Sequence, residues 1–177
     1  MKELILGGVR SGKSRLAEQH ALASGLAVTY VATATATDDE MRARIAEHRR
    51  RRPQSWSLVE APCTLAGTLR EHAAPDRCLL VDCLTLWLTN LLCAEDEAAF
   101  KAERQALVEL LPQLPGHIIL VSNETGMGVI PLGALSRRFG DEAGWLHQDI
   151  AQRSDRVILT VAGLPHLLKG NMERPNL

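Results

Sequence analysis

Short apolar runs and amphipathic stretches alternate along this chain. Residues 3–7, 27–32, 78–82, 117–122 and 156–161 are rich in Leu, Ile and Val, and several of these runs are continuously apolar. That pattern suits strands covered on both faces rather than half-exposed ones. A weaker run of the same kind covers 56–59. The segments between them, roughly 13–24, 38–52, 63–73, 84–93, 96–112 and 132–153, carry helical spacing of their apolar residues. Strands alternating with helices predict an α/β fold with a mostly parallel central sheet. Ligands of such folds sit beyond the carboxyl ends of the strands. The turns after Gly7, Ala32, Asp82 and Ser122 should therefore converge on one site. The run Arg49-Arg50-Arg51-Arg52 before Pro53 reads as a helix end, not a domain boundary.

Composition narrows the class. The 177 residues fit one domain, 1–177, with a substantial core. A formal net charge of −1 gives no global attraction to nucleic acid, and at 3% the aromatics are too few for a base-stacking surface. No nucleic-acid partner is expected. Cys63, Cys78, Cys83 and Cys93 have no C-x-x-C spacing, so zinc or a redox pair is not expected; reduced thiols in the cytoplasm are the simpler reading. No apolar run is long enough to span a bilayer, and the chain enters a strand at once, so neither membrane insertion nor a signal peptide is expected.

Chemistry enters with Gly7-Gly8-Val9-Arg10-Ser11-Gly12-Lys13-Ser14, which reads G-x-x-x-x-G-K-S between a strand and a helix. Glycines let the backbone close around phosphate oxygens, and the following helix offers amides and a positive dipole end. Lys13 can reach the β- and γ-phosphates, and the Ser14 hydroxyl can ligate Mg²⁺. The run Cys78-Leu79-Leu80-Val81-Asp82 ends in a carboxylate. Beside a phosphate loop, such an aspartate joins the Mg²⁺ shell; alone it would equally be a capping residue.

Two further stretches are ambiguous on their own. Thr37 to Glu40 makes a capping box, and the helix it opens brings Met41, Ile45 and His48 to one face ahead of the arginines. His48 can be a helix-terminal histidine beside a solvated basic run, or a nucleophile whose imidazole attacks phosphorus while the arginines neutralise a triphosphate. The segment 122–131, with Gly126 and Gly128, is either a ligand-contacting loop or a plain turn. The other histidines lack metal-ligand spacing and read as packing or surface residues.

Together these stretches resemble the bifunctional adenosylcobinamide kinase / adenosylcobinamide-phosphate guanylyltransferase family of cobalamin (vitamin B12) biosynthesis. The resemblance is carried by the Gly7–Arg15 loop, Tyr30-Val31-Ala32-Thr33, Asp38-Asp39-Glu40-Met41, Arg44-Ile45 through His48, Thr89-Asn90-Leu91-Leu92 and Asn123-Glu124-Thr125-Gly126-Met127-Gly128. It runs from residue 1 to about 165. It implies a P-loop, RecA-like three-layer fold and a homotrimer. It implies two reactions: a nucleoside triphosphate, ATP or GTP, phosphorylates adenosylcobinamide, and GMP from GTP then passes through a guanylylated histidine to adenosylcobinamide phosphate. His48 is the residue that the resemblance makes the nucleotide carrier. It places nucleotide contacts at Gly7 through Ser14, at Ala32, Thr33 and Ala34, at Arg49 to Arg52, at Glu60 and at Asp82. Some relatives carry Glu at the position of Asp82, and Asn often stands at the position of His147. On the residues alone, a simple P-loop small-molecule kinase and a non-catalytic nucleotide-binding module remain open.

Overall fold

A computed structural model describes residues 1–35, 39, 50 and 52–171. Its strands are β1 (Lys2–Gly7), β2 (Ala27–Ala32), β3 (Ser57–Glu60), β4 (Arg77–Asp82), β5 (His117–Asn123), β6 (Arg156–Val161) and β7 (Leu164–Lys169). They form one sheet in the order β3-β2-β4-β5-β1-β6-β7, parallel except for β7, which runs antiparallel to β6. The helices are α1 (Lys13–Ala23), α2 (Leu65–His72), α3 (Leu84–Cys93), α4 (Glu97–Leu110) and α5 (Ala134–Arg153). The expected α/β architecture is present. Most of the helix expected over 38–52 lies outside the described residues.

Side chains along each strand alternate between two cores, which explains why the strand runs read as continuously apolar. Leu4, Leu6, Val31, Leu79, Val81, Ile118 and Leu120 pack on one face, with α2 to α5. Ile5, Val28, Tyr30, Leu80, Ile119 and Val121 pack on the other, where Ala17 and Ala21 of α1 join them. The small Ala17 and Ala21 share one stripe of α1 with Lys13, so the helix that begins at the phosphate loop lies directly on the sheet. Asp96 caps α4, its side chain accepting a hydrogen bond from the Ala99 amide at 2.9 Å.

β7 is the element that the sequence reading did not contain. Ala162 and Gly163, both at positive φ, form the two-residue turn that folds it back onto β6. Pro165 cannot donate to a ladder and is tolerated because β7 is an edge.

The amino-terminal end of the sheet holds a buried charge cluster. Glu3 on β1 is fully buried. His20 of α1 approaches its carboxylate at 2.7 Å, Arg156 of β6 at 3.3 Å and His117 of β5 at 3.4 Å. Burial works to raise the Glu3 pKa, but the two imidazoles and the guanidinium outweigh it and hold the carboxyl at about 2. The cluster ties three adjacent strands and α1 together at the end opposite the phosphate loop.

Glu3→Gln leaves Arg156 without its buried counter-charge and should destabilise the fold by about 3 kcal/mol in urea unfolding at neutral pH. The carboxyl is held below its ordinary value of 4.5, so its contribution is complete above that pH and is lost as pH falls towards about 2. Wild-type stability should therefore drop more steeply than that of Glu3→Gln across this range.

Candidate active site

The phosphate loop is fixed by its neighbours before any ligand arrives. The Gly7 carbonyl accepts a hydrogen bond from the Glu124 amide at 3.0 Å, and the Ser11 carbonyl accepts one from the Gly163 amide at 2.8 Å. Within the loop, the Ser11 amide donates to the Gly8 carbonyl at 3.2 Å. Arg10 and Gly12 take the left-handed conformation, with φ of 56° and 97°. Such an alternation turns successive amides towards one concavity, the form of an anion nest. Gly7 has no room for a side chain: a Cβ there would lie 2.3 Å from Ser11 Oγ and 2.7 Å from the Thr160 carbonyl. Gly8, Val9 and Arg10 are exposed at the rim.

Lys13 is buried, and its Nζ donates to the Gly8 carbonyl at 3.2 Å. Burial pulls its pKa below the usual lysine range, and the negative charge of Asp82 works against that pull. The ammonium therefore lies under the loop and within the field of the carboxylate at the end of β4. Asp82 is itself held: Tyr30 of β2 donates its hydroxyl to Asp82 Oδ2 at 3.1 Å. Burial, then the Asp82 charge, push the Tyr30 pKa up, which keeps the phenol protonated. The Arg52 guanidinium lies 3.7 Å from the centre of the Tyr30 ring.

The turn after β2 is a latch. The Thr33 hydroxyl donates to the Cys83 carbonyl at 2.7 Å and accepts from the Cys83 amide at 2.8 Å. Asn90 of α3 donates to the Thr33 carbonyl at 2.9 Å, and the Ala61 amide donates to the Ala32 carbonyl at 2.8 Å. Ala34 is half-buried beside this latch, and exposed Glu60 ends β3 in register with Ala32. The Thr33 side chain thus joins two strand ends, while Ala34 and Glu60 border the same edge.

At the end of β5, Asn123 donates to Thr85 Oγ1 at 3.0 Å, and Glu124 Oε1 accepts from the Gly126 amide at 2.7 Å. Ser122 Oγ lies 2.7 Å from His147 Nε2 of α5, with His147 Nδ1 at 3.8 Å from Glu124 Oε2. Burial lowers the His147 pKa against the opposing Glu124 charge, so the ring is a neutral hydrogen-bonding strut.

The loops after β1, β2, β4 and β5 therefore do meet at one edge, with Gly7 through Ser14, Ala32 to Ala34, Glu60 and Asp82 along it. Arg52 reaches it through Tyr30, and Arg50 is exposed. His48, Arg49 and Arg51 lie outside the described residues, as do Thr37, Glu40, Met41 and Ile45. Sequence reasoning gave Tyr30 no role. Its signal is a phenol in a mostly apolar strand, two residues before Ala32, on the chain's single tyrosine. His147 was read as packing, and nothing in the spacing pointed to its Ser122 partner.

Oxygen donors at Ser14 and Asp82 suit Mg²⁺, which keeps water and phosphate ligands and does not need an all-protein cage. Among the described residues there is no cluster of three or more His, Cys, Asp or Glu able to hold a metal.

A family model described as cobinamide kinase / cobinamide phosphate guanyltransferase matches residues 3–168. The chain belongs to this family. It is an enzyme of phosphoryl and guanylyl transfer in cobalamin biosynthesis, not a bare nucleotide-binding module. The bifunctional adenosylcobalamin biosynthesis protein CobP of Pseudomonas aeruginosa is 66% identical over 170 residues, 96% of this chain and 98% of that protein. The protein CobU of Escherichia coli is 37% identical, over 93% of this chain and 97% of that protein. Its namesake in Salmonella typhimurium is 38% identical with the same coverage. Among solved structures, the RadB recombinase superposes with a TM-score of 0.51 at 18% identity, covering 89% of this chain and 73% of that one. That likeness is one of fold and supports the RecA-like P-loop architecture.

Gly7→Ala forces a methyl against backbone and should cost about 2 kcal/mol in thermal unfolding and weaken a fluorescent GTP analogue at least about tenfold. Gly67→Ala, in α2 with open space around its Cβ position, is the control; it should leave analogue binding unchanged and the fold equal or slightly more stable.

Proposed function

We propose that this edge of the sheet carries both reactions, with the phosphate loop as their common cradle and His48 as the carrier of GMP. The observation that supports it is buried Lys13, bonded to the Gly8 carbonyl and within the field of the Asp82 charge, in a chain of a kinase and guanyltransferase family. In the kinase step, ATP or GTP lies in the loop. The cobinamide hydroxyl oxygen attacks the γ-phosphorus, the bond to the bridging oxygen breaks, and a nucleoside diphosphate leaves. Lys13 and the loop amides neutralise the charge that builds on the phosphoryl oxygens.

In the transfer step, a neutral imidazole nitrogen of His48 attacks the α-phosphorus of GTP and pyrophosphate leaves. An oxygen of adenosylcobinamide phosphate then attacks the same phosphorus, giving adenosylcobinamide-GDP and free His48. Splitting the transfer in two replaces one hard displacement by two easier ones. Arg49 to Arg52 neutralise the triphosphate, with Ala32 to Ala34 and Glu60 bordering the nucleoside. Mg²⁺, when bound at Ser14 and Asp82, supplies charge neutralisation for the departing phosphates.

The enzyme works in the cytoplasm, where its nucleotides are supplied, and as a homotrimer. Exposed Met127, Val129, Ile130, Leu132 and Leu135 form an apolar ledge after β5 that a neighbouring subunit would cover.

Incubation with α-labelled GTP tests the unusual step. The protein should take up an acid-labile, base-stable label that His48→Ala lacks. His48→Ala should keep kinase activity far better than transferase activity, whereas Lys13→Ala should lower kcat/KM of both by about a hundredfold or more. A wild-type protein that turns over both substrates without ever taking label overturns the covalent route in favour of direct transfer.

A further inference from the structure

Tyr30 is built into the site in a way that neither reaction requires of a core residue. It lies on β2 opposite Leu80, with its side chain buried in the core on the α1 face of the sheet. A phenylalanine would fill that space without an oxygen to satisfy. The hydroxyl crosses to Asp82 Oδ2 at 3.1 Å, and the face of the ring carries the Arg52 guanidinium at 3.7 Å. One side chain thus presents an edge donor to the carboxylate and a π-face to the last arginine of the run.

We propose that Tyr30 is a positioning residue with two separable jobs: its hydroxyl orients Asp82 towards the metal of the Mg²⁺–nucleotide complex, and its ring seats the Arg52 guanidinium for contact with the nucleotide phosphates. This rests on the reading of the phosphate loop and Asp82 given above. An ionised carboxylate only accepts hydrogen bonds. With Oδ2 engaged by the phenol, the carboxylate is held in one orientation, and Oδ1 is the oxygen more open to a metal or one of its waters. Without the phenol the carboxylate can swing, and it must be ordered each time the metal binds. The stacking ties the Arg52 guanidinium to the same strand pair. The position of Arg52 is then set by the ring, not by the hydroxyl.

The two jobs separate by substitution. Tyr30→Phe keeps the ring and removes the donor; Tyr30→Leu removes both. Calorimetric binding of a non-hydrolysable GTP analogue is measured across a Mg²⁺ titration, with α-label uptake from GTP read in parallel. Circular dichroism and urea unfolding confirm that the variants are folded. Tyr30→Phe should raise the half-saturating Mg²⁺ concentration about tenfold, the scale of one lost hydrogen bond to a charged group. At saturating Mg²⁺ its analogue affinity and label uptake should return to wild type. Tyr30→Leu should share the shifted Mg²⁺ dependence and also keep a weakened affinity and slower labelling at saturating Mg²⁺. Wild-type Mg²⁺ dependence in Tyr30→Phe overturns the hydroxyl's role, and Tyr30→Leu matching Tyr30→Phe overturns the ring's. Failure elsewhere is distinguishable. A wild type that binds the analogue with Mg²⁺ dependence but takes no label overturns the covalent histidine alone, whereas binding indifferent to Mg²⁺ overturns the metal assignment and this inference with it.

Discussion

The phosphate loop has its shape because it is held from both neighbouring strands. The Glu124 amide, just past β5, grips the carbonyl of Gly7; the Gly163 amide, in the β6–β7 turn, grips the carbonyl of Ser11. A loop of small residues would otherwise sample many conformations, and ordering it would be charged against nucleotide affinity. With two carbonyls already engaged, the loop is held in one conformation before an anion arrives. Lys13, bonded to the Gly8 carbonyl, stands where a phosphate will draw it. The rest of the site, from Asp82 to the Thr33–Cys83 latch, is arranged around that fixed cradle.

β1 joins two opposite kinds of electrostatics. At its amino end fully buried Glu3 is surrounded by two histidines and an arginine. At its carboxyl end the backbone itself is the electrostatic element. The first holds β5, β1, β6 and α1 in fixed relation, and so fixes where the second can form. Stability and recognition are separated along one strand about the length of the sheet, so either can be altered by substitution with limited effect on the other.

Much of this was legible in the sequence. Continuous apolar runs gave the buried parallel strands because alternate residues feed two cores, and the G-x-x-x-x-G-K-S loop and the acid at the end of β4 needed only their position between strand and helix. β7 was not legible, because Pro165 masks a strand that exists only as an edge. Nor was the Tyr30–Asp82 bond: it joins residues far apart in the chain, and strand order, which no local pattern encodes, is what makes β2 and β4 neighbours. The same holds for Ser122 and His147, brought together by the packing of α5. His48 could be singled out only through the resemblance to a family, since on the residues alone a histidine ahead of four arginines reads first as a helix end.

The antiparallel return of β7 has a consequence for how the domain tolerates change. Its turn supplies a hydrogen bond to the phosphate loop, and Gly12 packs with a Cβ position only 3.1 Å from the Gly163 Cα. The last hairpin is thus a wall of the nucleotide site rather than trim on the sheet. Grafting this phosphate loop onto another scaffold without that hairpin would carry over every residue of the motif and lose one of the two clamps that give it form.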